Sequence, residues 1–552
     1  MKGKFYIFDS DALKNFHKRV FFSISVFFFV FIIALYRIVD VMIIDNEVKI
    51  ITKFNEIEKR GNIYDRNGTL LSTSIETYSL GAKPFELKNK KKLSEQLSLI
   101  TLLDEKKIFK LLNQEKSYVP IKRNISPRER QKIINLGEIG LTTKKSTKRI
   151  YPYQNIASHA LGYVDTESIG LSGIERGMNE ELSNGEDVYL SLDINLQAAI
   201  GEELKKSINK FSAKSGAVLV MKISNGEIIS MNSFPDFDPN NNKTFKKENL
   251  FNNLTQGNYE MGSTFKPITV SIGIDEKIID LDMKFDVSKP INGKIHDFHP
   301  FNGSLGVKEI IVKSSNIGAA KIAKLIGKEK QKHFFNKIGF NEKINFEIKE
   351  VANPLGNKNN WGEIETMTIG YGYGFAITPL HLVTAYASLS NSGIKIKPTI
   401  IKSNNLVDVN KNNYAIVKKE TSLTFLKLLR AVVLETEYTG PRVKINGYEI
   451  GGKTGTSELI DKNGRYQSEA NLASFIGVFP ISKPMYVVLA LIEHPKKIKE
   501  ENYNITGAAV AAPLVKKVIA KMIKILSIPQ INNEEILNAD TRIEHNKFNA
   551  TF

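Results

Sequence analysis

The sequence predicts a mixed α/β protein: a single membrane-spanning helix near the N-terminus, a supporting α+β region, and a domain in which helices flank an antiparallel sheet. Three observations carry that prediction. Residues 20–36 read VFFSISVFFFVFIIALY, without a charge. Two apolar, β-rich runs, AVLVMKI and IISMNS, flank Ser224-Asn225-Gly226-Glu227, and an Asn-Gly pair between such runs is a strong hairpin signal. Much later, three further strand-like runs and a helix with apolar spacing complete a sheet and its cover.

Composition narrows the chemistry. The chain has 552 residues, enough for two or three domains, and 42% hydrophobic content suits a folded protein with a sizeable core. It has no cysteine, which excludes thiol catalysis, zinc–cysteine sites and disulfide staples, so any nucleophile is an oxygen or an amine. The net charge of +18 raises the question of nucleic acid, but the lysines are interleaved with Asn and Ile rather than gathered in a stripe. No nucleic-acid partner is expected.

Residues 1–19 are expected to be a short cytoplasmic tail, with Lys14, Lys18 and Arg19 as its basic flank. Residues 20–44 form the anchor: the uncharged run is at the lower end of the roughly 17–25 residues a spanning helix needs, and apolar sequence resumes at Ile38. A cleaved signal peptide would end at small residues, which Leu35, Tyr36 and Arg37 are not. The bulk of the chain is therefore expected outside the cytoplasmic membrane. Residues 45–195 read as a supporting domain; its segment RGNIYDRNG, from Arg60 to Gly68, places Asn67-Gly68 as a tight turn between extended stretches. Residues 196–526 form the second domain, with the hairpin near Gly216, a mostly helix-compatible middle, strands over 448–457, 473–479 and 486–493, and a helix over 508–526. Residues 527–552 are polar, without an apolar period, and read as a tail.

The chemistry-bearing residues fall in three segments. Ser263-Thr264-Phe265-Lys266 follows Gly262, which permits a sharp entry to a helix, and three residues along a helix return to the same face. Lys266 can thus approach Ser263 and, if its pKa is depressed, take the serine proton as a neutral amine. Pro267 falls in the first turn, where N–H groups lack intrahelical partners and can face an oxyanion. Next, Ser314-Ser315-Asn316 reads as a turn at a helix start, offering a second hydroxyl and a carboxamide. Last, Lys453-Thr454-Gly455-Thr456 lies on a candidate strand, where a lysine sets positive potential and a small glycine lets a peptide lie against the strand. Each element alone is weak: Ser207 and Lys210 repeat the first spacing, Ser403-Asn404-Asn405 the second, and Lys214-Ser215-Gly216 the third. Order and context separate the true set from these.

This trio is a known signature of β-lactamases and penicillin-binding proteins. Together with RGNIYDRNG, GLSGIERGMN (170–179), LSLDINLQ (190–197), MTIGYGYGFAITPLHLVTAYASLSNSG (367–393) and ASFIGVFP (473–480), it resembles the class B, monofunctional penicillin-binding transpeptidases, and more narrowly the septal, cell-division type. Met261 stands where that family commonly has proline, and Lys222 where an acidic residue is usual. The resemblance implies a non-catalytic pedestal over 45–195 and a transpeptidase domain over 196–526. It implies Ser263 as nucleophile, Lys266 as base, Ser314 and Lys453 as proton relay, and Asn316, Thr454, Gly455 and Thr456 as substrate-binding residues. No metal or organic cofactor is expected. The implied partners are peptidoglycan stem peptides on lipid II-derived glycan strands, β-lactams as covalent inhibitors, the inner membrane through the single-pass anchor, and an FtsW-type glycosyltransferase with other division proteins. Side-wall elongation and D,D-carboxypeptidase activity remain alternatives within the superfamily. A β-lactam sensor or an inactive division scaffold is the alternative from another class.

Overall fold

The computed structural model describes residues 10–39, 59–356, 361–403, 414–460, 466–498 and 504–530. Parts of the expected tail, anchor, pedestal and C-terminal segment (1–9, 40–58 and 531–552) and the Asn404-Asn405 pair lie outside the described residues.

The N-terminal unit holds one helix, α1 (Ser10–Val39), in which Lys14–Arg37 is long and apolar enough to cross a membrane. Its Ser25 hydroxyl donates to the Phe21 carbonyl at 2.9 Å, so the side chain is satisfied within the helix itself.

The second unit begins at Lys59. Its first sheet comprises β1 (Ile63–Tyr64), β2 (Leu70–Ala82), β3 (Val119–Ile125), β4 (Leu141–Ile150) and β5 (Val188–Tyr189), with β2 pairing β1, β3 and β4. The expected turn joins β1 to β2: Asp65 accepts from the N–H groups of Asn67 and Thr69, each at 2.8 Å, and Gly68 takes φ +84°. Helices Lys90–Thr101, Glu105–Leu112 and Pro127–Ile134 are capped by Asn89, Asp104 and Ser126. Their apolar faces bury Leu93, Leu97, Ile108, Leu112 and Ile133 against Leu80 and Ile125 of the sheet.

The second sheet comprises β6 (Ser215–Lys222), β7 (Ile228–Phe234), β13 (Gly451–Ile460), β14 (Tyr466–Phe479) and β15 (Tyr486–Glu493), in the order β13-β14-β15-β6-β7, antiparallel throughout. Both ends of this part of the chain meet where β15 pairs β6, from Tyr486↔Lys222 to Glu493↔Ser215. Helices α2 (Ile194–Lys210) and α7 (Gly507–Ile525) bury Leu196, Ile200, Val515 and Ile519 against Val218, Val220 and Val488 on one face. The other face carries Leu219, Met221 and Leu489 into a core that includes α3 (Lys266–Asp275), α4 (Asn316–Ile326), α5 (Pro379–Ser390) and α6 (Lys419–Glu435). A sheet covered on both faces explains why β6 reads as a continuous apolar run rather than an alternation.

Between the hairpin and the late strands the chain also forms short strands: β8 (Tyr259–Glu260), β9 (Lys284–Asp286), β10 (Ser304–Gly306), β11 (Leu355–Gly356) and β12 (Phe375–Ile377). Two or three residues are too few to show a period of two, so the sequence reads there as helix and loop. The strand expected at 448 begins instead at Gly451, because Tyr448 donates its N–H to Ile445 in a turn. Strand β14 starts seven residues before the expected 473, its polar first half held by pairing with the end of β13.

Candidate active site

Ser263 sits in a single 3₁₀ turn, Gly262–Phe265, that runs into α3 with Pro267 in its first turn. Gly262 enters at φ +53°. The turn is fastened to the core: Tyr386 donates its hydroxyl to the Thr264 carbonyl at 2.6 Å, Thr264 Oγ1 donates to the Met261 carbonyl at 2.7 Å, and Phe265 packs among Phe335 and Phe340. Ser263 itself remains partly exposed.

Lys266 lies one helical turn on and is fully buried. Its Nζ is 3.0 Å from Ser263 Oγ, 3.2 Å from Ser314 Oγ, 2.5 Å from the Ser314 carbonyl and 2.8 Å from Asn316 Oδ1. Lys453 Nζ reaches the same Ser314 Oγ at 3.0 Å from β13. The atoms thus form a chain: Ser263 Oγ, Lys266 Nζ, Ser314 Oγ, Lys453 Nζ. Burial drives the Lys266 pKa well down, and the positive charge of Lys453 depresses it further, against the opposing pull of Asp297. Burial lowers Lys453 to about 7. Burial and the Lys453 charge both favour the neutral amine at Lys266, which is the form that can accept a proton from a neighbouring hydroxyl.

The Ser314 turn brings two functional groups to that amine. Ser314 adopts φ +61°, a left-handed conformation that costs a non-glycine residue roughly 1–2 kcal/mol. The following Ser315 caps α4, its Oγ accepting from Gly318 N–H at 2.9 Å. Asp297 fixes the whole turn: it accepts from Ser315 Oγ at 2.7 Å, from Ile317 N–H at 3.0 Å, and from Asn316 N–H. Asn316 Nδ2 donates to the His296 carbonyl at 2.8 Å, which leaves Oδ1 aimed at Lys266. Asp297 carries no sequence signal; its loop lacks a period, and the fold alone brings it to α4.

Strand β13 is the edge of the sheet and lies against the nucleophile turn. A Cβ at Gly455 would stand 2.9 Å from the Met261 carbonyl and 2.4 Å from Ser474 Oγ, so this glycine lets the turn and the strand touch. Thr454 Oγ1 is 3.4 Å from Lys453 Nζ, and Thr456 Oγ1 accepts from Gly507 N–H at 3.0 Å at the start of α7. Thr454 and Thr456 are both partly exposed along the strand. The eight candidate residues thus fall together where the nucleophile turn, the Ser314 turn and β13 meet. The decoy pair Ser207 and Lys210 lies on α2, with Lys210 exposed. Among the described residues no group of three or more His, Asp or Glu is placed to hold a metal ion.

Comparison with known proteins shows what the chain as a whole is similar to. Residues 216–520 match the family model for the penicillin-binding protein transpeptidase domain, and residues 57–221 that for the penicillin-binding protein dimerisation domain. The chain is 32% identical to the probable peptidoglycan D,D-transpeptidase FtsI of Caulobacter vibrioides, across 85% of this chain and 82% of that protein. It is 26% identical to the peptidoglycan D,D-transpeptidase FtsI of Buchnera aphidicola, across 93% and 96%, and 27% identical to the stage V sporulation protein D of Bacillus subtilis, across 86% and 80%. A crystal structure of a peptidoglycan synthetase from Bifidobacterium adolescentis shares the fold, with a TM-score of 0.68 at 19% identity, covering 86% of this chain and 96% of that one.

Proposed function

Because this chain belongs to the family of penicillin-binding protein transpeptidases, we propose that it cross-links the stem peptides of septal peptidoglycan through an acyl-enzyme on Ser263. The observation that best supports this reading is the unbroken contact from Ser263 through Lys266 and Ser314 to Lys453. Neutral Lys266 takes the Ser263 proton as Oγ bonds to the penultimate D-alanine carbonyl of the donor. N–H groups of Ser263 and Thr456 receive the oxyanion, a preorganised contribution that is usually the largest in such reactions. The C–N bond then breaks, and the terminal D-alanine leaves with the proton returned through Lys266, Ser314 and Lys453. Asn316 holds the donor peptide, which lies along β13 at Gly455, and Thr454 and Thr456 bind its carboxylate. An acceptor amine attacks the acyl carbonyl, forms the new amide and releases Ser263 Oγ, which regains its proton.

A fluorescent penicillin should label the full chain at Ser263. Equal labelling of Ser263→Ala would remove that residue from its role, and a normal acylation rate in Lys266→Ala would reject the base assignment.

Under this reading α1 anchors the chain once in the inner membrane, and the pedestal (45–195) and the transpeptidase domain (196–526) lie in the periplasm. The packing of α2 on β6 and β7 supports a boundary near 195. An FtsW-type glycosyltransferase would supply the strands and contact the anchor and pedestal. Depletion of the protein should then give filamentous cells, whereas round cells would favour the side-wall alternative.

A further inference from the structure

Beside the nucleophile turn lies a cluster that this mechanism leaves unused. Tyr371, Tyr373 and Tyr466 stand ring to ring, with successive centroids 5.5 and 6.1 Å apart. Tyr466 is 48% exposed and the other two partly so, which makes the cluster reachable from solvent. Behind the rings is Glu260, three residues before Ser263 and only 7% exposed. Its Oε1 accepts from Gly374 N–H at 2.7 Å and from the Tyr466 hydroxyl at 3.1 Å, while Oε2 is buried without a partner. Burial raises its pKa, and the nearby charge of Glu458, exposed on β13, adds to the rise.

The Glu260 carboxyl is joined to no lysine or arginine among the described residues, in a chain whose net charge is +18. A residue needed only to tie β8 to the glycine loop and to β14 would serve better as a neutral glutamine, which accepts the same bonds without burying a carboxyl. The acceptor left over is Glu260 Oε2, a carboxylate oxygen that can receive a cation. Aromatic faces backed by carboxylates are the chemistry that receives an ammonium, through the ring quadrupole and direct charge attraction.

The cluster also touches both walls of the cleft. The Glu260 carbonyl accepts from Ser457 Oγ at 2.6 Å, the Gly372 carbonyl accepts from Gly262 N–H at 3.1 Å, and the Tyr373 hydroxyl lies 3.5 Å from the Thr456 carbonyl. Resting on the transpeptidase reading, we propose that Glu260, Glu458, Tyr371, Tyr373 and Tyr466 form the site that receives the acceptor as an ammonium, the primary amine of a second stem peptide. The ammonium gives up one proton to solvent as it leaves the carboxylates, the neutral amine attacks the acyl carbonyl, and its second proton passes through Lys266 to the departing Ser263 Oγ; the site thereby selects an amine over a hydroxyl to resolve the acyl-enzyme.

The test uses the full chain in detergent with an N-acyl-D-alanyl thioester as donor, and D-alanine or D-lactate as acceptors of equal size that differ in amine against hydroxyl. Penicillin acylation is measured in parallel. Glu260→Gln and Tyr466→Ala should each raise the KM for D-alanine at least tenfold, with little change in transfer to D-lactate, so that the preference for the amine collapses. An unchanged KM for D-alanine in both variants overturns the proposal. So does an equal loss of penicillin acylation and of transfer to both acceptors, which would make Glu260 a prop of the nucleophile turn. Should Glu260→Gln not fold, Tyr466→Ala at the exposed ring decides alone. A wild-type chain that never forms an acyl-enzyme rejects the transpeptidase reading itself, whereas normal wild-type transfer with unaltered variants rejects only the ammonium site.

Discussion

Asp297 joins two tasks in one carboxylate: it holds the Ser315–Ile317 backbone and side chains, and its charge opposes the depression of the Lys266 pKa. Hydrogen bonds to a charged group contribute about 1.5–3 kcal/mol, so Asp297→Ala should slow penicillin acylation by roughly 10- to 100-fold as the Ser314 turn loosens. Asp297→Asn separates the tasks. It keeps an acceptor for the N–H groups but removes the charge, so the Lys266 pKa falls further and the acid limb of the acylation profile moves to lower pH. An acid limb that stays in place would show that the two groups do not couple. On the proposed mechanism the alkaline limb should follow Lys453, because burial lowers its pKa to about 7 and its ammonium is lost as pH rises through that value. Acylation rates measured from pH 5 to 9 should therefore decline above neutrality, and Lys453→Arg, which stays charged, should abolish that decline while lowering the plateau. The serine, lysine and asparagine positions of the site were legible because their chemistry demands fixed short spacings. Asp297 and Glu260 were not, because each acts on a segment far from it in sequence and only the folded chain reveals the contact.

At the scale of elements, long strands and helices were readable and short ones were not. Strands β6, β7 and β15 announce themselves as apolar runs bounded by turn residues, and α7 as a helical apolar stripe. The segments that shape the site are different: β8 and β12 have two and three residues, and the loop between the Glu363–Ile369 helix and β12 is organised by glycines rather than by a period. Gly372 is the sharpest case. It adopts φ +90°, and a Cβ there would lie 2.1 Å from the Gly262 carbonyl. The loop can lean on the entry to the nucleophile turn only because that atom is missing. Gly372→Ala should cost on the order of 2–4 kcal/mol, from left-handed strain plus forced displacement, and should slow acylation because the displaced neighbour is Gly262. Urea melts followed by penicillin labelling of the native fraction check both halves; a stable variant with wild-type acylation would mean that the loop yields without moving the turn.

At the largest scale, the segments of the second unit's first part, brought together from residues 60 to 179, are joined through a buried charge cluster rather than through apolar packing alone. Glu175, fully buried, receives Arg60 Nε and Arg149 Nε at 2.7 Å each, with Ser72 Oγ at 3.0 Å and the Tyr151 hydroxyl at 3.2 Å. Arg60 also donates to Asn179 Oδ1 at 2.9 Å and to the Glu175 carbonyl at 2.6 Å, and Arg149 to the Gly61 carbonyl at 2.8 Å. One carboxylate thus ties the start of the first sheet, the end of β4 and the Gly173–Gly177 helix. Two guanidinium charges share it, and Arg149 Nη2 is buried without a partner, so the balance is already short of negative charge. Removing the one anion is therefore worse than losing a single pair: Glu175→Gln leaves two buried cations uncompensated, where breaking one buried pair typically costs about 3–5 kcal/mol. The charge deficit can be relieved from the other side, since Arg149→Met in the Glu175→Gln background removes one of the stranded cations. Urea midpoints of the full chain should fall steeply for Glu175→Gln and recover in part for the double variant. A double variant less stable than the single one would mean that Arg149 is held by its backbone acceptors instead, and that the junction depends on hydrogen bonds more than on charge.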